Sequence, residues 1–373
     1  MRLPDPENAM TSSSSSSLVV TGVEARAVNV PLEYPVRTSV GVIATSPLVL
    51  IDLQTDGGVT GRAYLFTYTP LALEAMRQLV LAFAGVLKGR PLAPFDFDQL
   101  LSQRLRLLGR TGLAQMACAG LDMAAWDALA VARGLPLVEL LGGTRRAVPA
   151  YDSHGMDGEA LGAQRAALAR DQGFAAIKTK IGYPTLAEDL RIVRALRQAI
   201  GPEMALMVDC NQGLSVPEAM RRIQALENEG IAWVEEPTLQ EDYAGHARIR
   251  EKSRLPIQMG ENWCSPDEMA KALDARACDL AMPDVMKIGG VTGWLRAAAL
   301  AQQRGVPMSS HIFQEISVHL LAVTPTAHWL ERMDLASPVL ARPLAFADGC
   351  ARPGEEPGTG IAWNEEAVAR FAA

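Results

Sequence analysis

From Val148 onward the chain repeats one pattern: a short apolar run breaks off at a charged or polar residue, a loop follows, and then a segment with helical spacing of apolar positions. The runs are AAIKTKIG with Lys178 and Lys180, ALMVDCNQG with Asp209 and Asn211, IAWVEEP with Glu235, IQMGEN with Glu261, LAMPDV with Asp284, PMSSH with His311 and HWLERM with Glu331. Consecutive endings fall roughly 20 to 30 residues apart, which is one strand, one helix and two loops. VPAYDS at Val148 to Ser153 brings the strands to eight. Eight such units predict a (β/α)8 barrel, in which every strand points its C-terminal end at one mouth, so these distant side chains converge on one pocket.

The intervening helices are predicted at Glu159 to Arg170, Leu186 to Ile200, Pro217 to Glu229, Pro266 to Ala277, Gly293 to Arg304 and Ser317 to Val323. Ser265-Pro266-Asp267-Glu268 sets a cap, a proline and acids in a first turn, and Gly173, Gly201, Gly230 and Gly305 follow helix ends. Upstream the pattern differs. Runs rich in Val, Leu and Thr cover Leu18 to Val30 and Pro47 to Phe66, and a DGG turn at Asp56 to Gly58 splits the second run into an antiparallel hairpin. Helical spacing then takes over to Gly134, so this part reads as an α+β domain. The fold expected is α/β: a (β/α)8-type barrel over 146–336, an N-terminal α+β capping domain over 18–145, a flexible tail over 1–17, and a C-terminal segment, 337–373, that returns to the capping domain.

Composition narrows the class. A chain of 373 residues, 49% hydrophobic, fills a barrel and a smaller partner domain. A net charge of −7 without a basic stripe speaks against nucleic acid or an anionic membrane as partner. Five cysteines without a CxxC suggest neither a disulfide framework nor a zinc knuckle, and fit a reducing cytoplasm. The serine-rich N-terminus lacks the pattern of a secretory signal, and the longest apolar run, Leu79 to Leu87, is about half of a bilayer span.

Asp209, Glu235 and Glu261, 26 residues apart in each case, put one carboxylate on each of three successive strands. Three oxygen ligands without histidine or thiol favour a hard cation, Mg2+ over Ca2+ or Zn2+. Lys178 and Lys180 share one face of a strand, and two ammonium groups so close lower the proton affinity of one, leaving a base. Across the mouth, Asp284 and His311 form a dyad in which the acid fixes the imidazole. Bases on opposite sides suit removing a proton from one face of a carbon and returning it to the other. A positioned base contributes about 10²- to 10⁴-fold, so the rest of the barrier at a carbon beside a carboxylate is lowered electrostatically. Mg2+, Lys178 and a protonated Glu331 are the groups expected to do this. His246, His319 and His328 read as packing or surface residues, and His154 is open.

The motifs VNVPLEYPV, YLFTYTP, GLDMAAWDAL, YDSHGMDG, IKTKIGYP, MVDCNQ, VEEPTLQ, MGENW, AMPDVMKIGGVTGW, SSHIFQEIS and TPTAHWLERMDLA span Leu18 to Ile361. Together they resemble the mandelate racemase / muconate lactonizing branch of the enolase superfamily, and the last two point to its racemase end. A Lys or His base with Mg2+ is the general pattern of that superfamily, so the roles that follow come from the resemblance. It implies Mg2+ on Asp209, Glu235 and Glu261, with Asn211 at the substrate hydroxyl or metal shell. Lys180 is the implied base for the S enantiomer and His311, with Asp284, the base for the R enantiomer. Lys178, Glu331 and Ser153 are the implied contacts of the substrate carboxylate. Loop Val36 to Ser46 is the implied flap, and Val36, Ile43, Phe66 and Tyr68 the apolar wall, which suits an aromatic 2-hydroxy acid. Ile43, Ile312 and Met333 depart from the racemase pattern and alter the wall's shape. Glu236, beside a ligand, is left outside the metal shell. The expected activity is a racemase of a mandelate-like acid, working by two-base proton transfer through an enediolate; an octamer is the usual family assembly. An acid-sugar dehydratase on the same scaffold is the runner-up, and a non-catalytic metal-binding relative the third reading.

Overall fold

Three antiparallel strands, β1 (Val20–Thr38), β2 (Gly41–Thr55) and β3 (Thr60–Phe66), open the fold. The computed structural model describes residues 18–373; the expected tail, 1–17, lies outside the described residues. The DGG turn joins β2 to β3 in a register running from Gln54↔Thr60 to Leu48↔Phe66. Both faces of β2 are covered, because alternate residues meet different partners. Three helices, α1 (Leu73–Leu87), α2 (Pro94–Arg104) and α3 (Gly112–Arg133), follow the sheet. Ile51 faces α3, where a side chain on Gly120 would strike its Cδ1, while Asp52 accepts hydrogen bonds from Arg26, Arg62 and Trp363. Gly61 lets β3 lie directly on α3, since a Cβ there would sit 2.0 Å from the Ala124 carbonyl oxygen. The run Pro70–Leu87 is apolar enough by length and composition to cross a bilayer, yet its Leu73, Met76, Val80 and Leu87 are buried against the domain core.

The segment expected as a flap loop is instead the tip of the β1–β2 hairpin. Its strands pair through Val36↔Ile43 and Thr38↔Gly41 beyond an irregularity at Pro31/Val36. The Ser39 hydroxyl at the tip donates to the Cys210 carbonyl at 2.9 Å, which fastens it to the barrel mouth.

After a short α4 (Leu137–Leu140), strands and helices alternate: β4 (Val148–Ser153), α5 (Gly158–Asp171), β5 (Ala176–Lys180), α6 (Leu186–Ile200), β6 (Ala205–Asp209), α7 (Val216–Leu226), β7 (Ile231–Glu235), α8 (Tyr243–Lys252), β8 (Ile257–Met259), α9 (Pro266–Asp274), β9 (Leu280–Ala281), α10 (Val285–Ile288), α11 (Gly290–Arg304), α12 (Gln314–Val323) and β10 (Leu330–Arg332). β4 to β9 pair in parallel in chain order, and β10 returns to β4 through Glu331↔Tyr151. The expected seventh strand is reduced to bridges, Ala281↔Met308 and Met308↔Ala327. Pro307, which has no N–H to give, precedes it. Helix starts follow the sequence signals: Thr185 and Glu188 form a capping box, and the hydroxyls of Ser215 and Ser265 accept from the third helical N–H.

The last segment touches both units. β11 (Phe346–Ala347) and β12 (Cys350–Ala351) form a hairpin that pairs antiparallel with β4 through Ala351↔Val148. Beyond it, Trp363 reaches Asp52 and Ala372 bridges Val28, while α13 (Glu365–Arg370) brings Glu365 to Arg26.

Candidate active site at the barrel mouth

The three acids at the ends of β6, β7 and the turn after β8 converge: one oxygen each from Asp209, Glu235 and Glu261 lies within 4.8 Å of the other two, and all three residues are buried. Glycine is needed just before the third, because a side chain on Gly260, at φ +135°, would strike the Trp263 ring. Protein donors reach all three acids, Glu261 only through Asn262 at 3.4 Å. Asp209 accepts from Asn211 at 2.7 and 2.9 Å, and Glu235 accepts from Gln258 at 2.9 Å and Trp233 at 3.2 Å. Glu261 Oε2 is buried without a hydrogen-bond donor, although His311 Nε2 stands 3.3 Å away. Asn211 Oδ1 is likewise buried without a partner. A buried cluster of acids with a spare oxygen, and no histidine or thiol in it, fits a hard divalent cation.

Lys178 and Lys180 project from one face of β5 into this cluster. The Lys178 ammonium lies 2.5 Å from Glu235 and 2.8 Å from Glu331, and that of Lys180 donates to Asp209. Their expected mutual depression of proton affinity is present at Lys180, where the like charge of Lys178 pulls the pKa down, but it is outweighed. Burial works against both ammonium groups, but Glu235 and Glu331 outweigh it at Lys178 and hold its pKa well above the usual value, and Asp209 raises that of Lys180. The expected protonated Glu331 likewise meets surroundings that oppose it. Burial opposes its charge, yet Lys178, His311 and the Ile312 N–H at 2.9 Å hold its carboxyl well below the ordinary range. Sequence could not show this, because it turns on how close one ammonium comes. Glu235 moves the other way: burial first, then the neighbouring acids, push it up to about 7 against the pull of Lys178.

On the far side, His311 Nδ1 and Asp284 Oδ2 are 2.7 Å apart. Asp284 is itself oriented by the backbone N–H groups of Met286 and Lys287. Burial disfavours the imidazolium, but Glu261 and Asp284 raise its pKa above the ordinary value. The turn that follows His311 carries two non-glycine residues at positive φ, Ile312 (36°) and Phe313 (48°), a costly conformation that fixes the direction of the chain as it leaves the imidazole.

Lys180 and His311 both line a cavity of about 500 Å³ at this mouth. Val36, Ile43, Phe66 and Tyr68 line it as the resemblance implied, with Asn211 and Glu331. Val40 and Val42, within the expected flap, line it too. Sequence reading missed Met116, Gln212, Asn262, Lys287 and Leu335 there; nothing in their local pattern separates them from ordinary helix and loop residues. Ser153 is not in this wall. It stands beside Lys178 in the β4–β5 register, and its buried, unpartnered hydroxyl lies on an adjoining cavity with Asp152 and Arg332. Glu236, at φ 38°, is fully buried and held by Asn262 at 2.9 and 3.0 Å. The other histidines pack: His154 meets Asp152 at 2.8 Å, His246 and His319 are buried, and His328 stacks near Trp233.

Residues 20–142 match the family model of the mandelate racemase / muconate lactonizing enzyme N-terminal domain, and residues 161–367 that of the enolase C-terminal domain-like family. The fold superposes at a TM-score of 0.93, with 48% identity over 96% of this chain and 99% of the other, on an enolase from Bradyrhizobium crystallised with magnesium and mandelic acid. Among curated proteins, 3,6-anhydro-alpha-L-galactonate cycloisomerase of Streptomyces coelicolor is 33% identical over 89% of this chain and 93% of its own length. L-talarate/galactarate dehydratase of Salmonella typhimurium is 33% identical over 74% of this chain and 70% of its own. These two curated names stand on the side of acid-sugar chemistry, and the mandelic acid bound to the Bradyrhizobium enolase on the side of mandelate.

Proposed function

The chain belongs to the mandelate racemase and muconate lactonizing enzyme family of the enolase superfamily, and from that footing we propose that it is a Mg2+-dependent racemase of 2-hydroxy acids with an apolar, aromatic side chain. One observation carries the reading: Lys180 and His311 line one cavity from opposite sides of one carboxylate cluster. Lys180 ends the second barrel strand and His311 the seventh position, three steps apart around a ring of eight in which four is the maximum. A carbon between them is open to a base on each face.

Asp209, Glu235 and Glu261 would hold Mg2+, which would supply positive charge against the dianion formed on deprotonation. The Lys178 ammonium meets the substrate carboxylate, and Glu331 orients that ammonium together with the Ile312 N–H. Lys180 takes the α-proton from one face as a free amine, a form that the like charge of Lys178 pulls toward and the carboxylate of Asp209 pulls against. His311, its Nδ1 side held by Asp284, delivers a proton to the opposite face, and the reverse reaction exchanges the two roles. The apolar wall of Val36, Val42, Ile43, Phe66 and Met333 receives the side chain.

Dehydration of an acid sugar is the second reading, and the curated relatives back it better than they back racemisation. Gln212, Asn262 and Lys287 on the same cavity are polar groups that a polyol could use. Polarimetry and proton NMR of (R)-mandelate and of galactarate in D2O with Mg2+ separate the two. Loss of rotation with α-deuteration and no new compound is the expected result. A 2-keto acid from galactarate, with mandelate unchanged, would replace racemisation by dehydration.

A further inference from the structure

The cavity wall, mostly apolar along the hairpin, carries polar groups on its other sides. Lys287, in α10 just after Asp284, places its ammonium on this cavity, where it donates to Asn262 Oδ1 at 2.6 Å and lies 4.6 Å from the centroid of the Tyr68 ring. Lys178 and Lys180 each have a carboxylate within 2.5–2.8 Å, but among the described residues no carboxylate lies within 4.0 Å of the Lys287 ammonium. An ammonium has three protons to give, and one is used. Beside it, the Tyr68 hydroxyl is buried and has no hydrogen-bond partner among the described residues. Tyr68 holds a left-handed backbone, φ 59°, and its ring leans on Phe66 at 4.6 Å, so it is fixed in this place. Leaving a buried hydroxyl without an acceptor is costly, and the half-buried Lys287 ammonium has two protons to offer an oxygen that enters the cavity.

We propose that Lys287 and Tyr68 form a polar subsite for an acceptor oxygen on the far edge of the substrate's side chain, a ring hydroxyl in the case of an aromatic acid. The inference rests on the proposed reading of this cavity as the place where a 2-hydroxy acid binds, and it narrows the substrate class from any apolar aryl group to one bearing oxygen. Asn262 keeps the ammonium in place: its amide turns Oδ1 to Lys287 and Nδ2 to Glu236. The ring itself is held by the apolar residues of the wall, Phe66, Ile43 and Met333.

The test uses binding rather than turnover. 2-Hydroxy-2-phenylpropanoate has no α-proton, and it is titrated calorimetrically into the Mg2+-loaded protein beside its 3- and 4-hydroxyphenyl analogues. One ring-hydroxylated compound is expected to bind about tenfold or more tightly than the parent, the scale of a hydrogen bond to a charged group. In Lys287→Met the ratio of the two dissociation constants should fall to within about threefold of one. Tyr68→Phe, which removes a single oxygen, should lower the same ratio partway and keeps the test decisive if the first variant does not fold. No preference in the natural protein, or an undiminished preference in both variants, overturns the subsite. If the preference appears but no 2-hydroxy acid exchanges its α-proton, the racemase reading fails and the subsite stands.

Discussion

Tyr64→Phe removes one oxygen from the seam between capping domain and barrel, and its consequences can be worked out from the contacts it loses. The Tyr64 hydroxyl, on β3, donates at 2.6 Å to Glu315 Oε2 in the first turn of α12, and both residues are buried. The other carboxylate oxygen has Gln314 at 3.2 Å. Losing a hydrogen bond to a buried carboxylate costs about 1.5–3 kcal/mol. Glu315 can evade part of that by taking a proton, because burial has already raised its pKa, with Tyr64 and Gln314 pulling it down. The sign follows. In acid the protonated carboxyl has little need of the donor, whereas at high pH the ionised form needs it, so the destabilisation by Tyr64→Phe should grow as pH rises.

Urea denaturation of the natural protein, Tyr64→Phe, Glu315→Gln and the double variant, at pH 5.5 and 8.0, measures this as a double-mutant cycle. A coupling of about 1–3 kcal/mol, larger at pH 8.0, is expected. The contact also guards the chemistry. Tyr64 stacks 5.0 Å from Phe313 in the strained turn after His311, and the Ser317 hydroxyl one helical turn on donates to the Ile312 carbonyl. Tyr64→Phe should therefore slow α-proton exchange of the enantiomer served by His311 more than that served by Lys180. Coupling indistinguishable from zero at both pH values would refute the reasoning.

His311→Asn should abolish racemisation while leaving Mg2+-dependent α-deuteration of (S)-mandelate through Lys180; NMR in D2O reads both, and loss of exchange in a folded, metal-loaded variant would break the separate roles. Mg2+ should raise the thermal midpoint, by the equivalent of about 2.7 kcal/mol at a hundredfold excess over its dissociation constant, and Glu261→Ala should remove that shift. Asp122, buried beneath the Thr292 N–H and hydroxyl, has its pKa raised to about 7 by burial. Its contribution is fully present below the unfolded value near 3.8 and is lost as pH rises through about 7, so Asp122→Asn should flatten the fall in stability measured over that window. Gly61→Ala should cost about 1–3 kcal/mol in urea denaturation by forcing β3 away from α3.

The barrel was legible because its strands end in chemistry: Asp209, Glu235 and Glu261 at even spacing mark three successive strands, and the period of two puts Lys178 and Lys180 on one face. What was not legible depends on distance. Whether Glu331 carries a proton is decided by an ammonium 2.8 Å away, and Gln258, which fixes Glu235, looks like any strand residue. Helix α8 escaped notice because the face it buries, Gly245, His246 and Ile249, holds a single large apolar residue. The hairpin tip passed for a loop since its pairing resumes only beyond an irregularity at Pro31/Val36. Lys287 was quoted only inside a motif; its interest lies in what does not surround it.

Counting charge in the buried cluster gives a reason for the metal's valence that is independent of ligand type. Asp209, Glu235, Glu261 and Glu331 contribute −4 when ionised, Lys178 and Lys180 +2, and Asp284 with a protonated His311 zero, so the residues alone sum to −4 + 2 = −2. Such an excess is unstable in a buried site, and the structure registers it at Glu235, pushed up to about 7 by burial and by the acids around it. A divalent cation closes the sum and a monovalent one does not. The same count explains why the bases lean on metal ligands, Lys180 on Asp209 and His311 on Glu261. Each proton carrier is held by an acid whose charge a dication would offset, so binding the ion and freeing the bases are two sides of one electrostatic exchange.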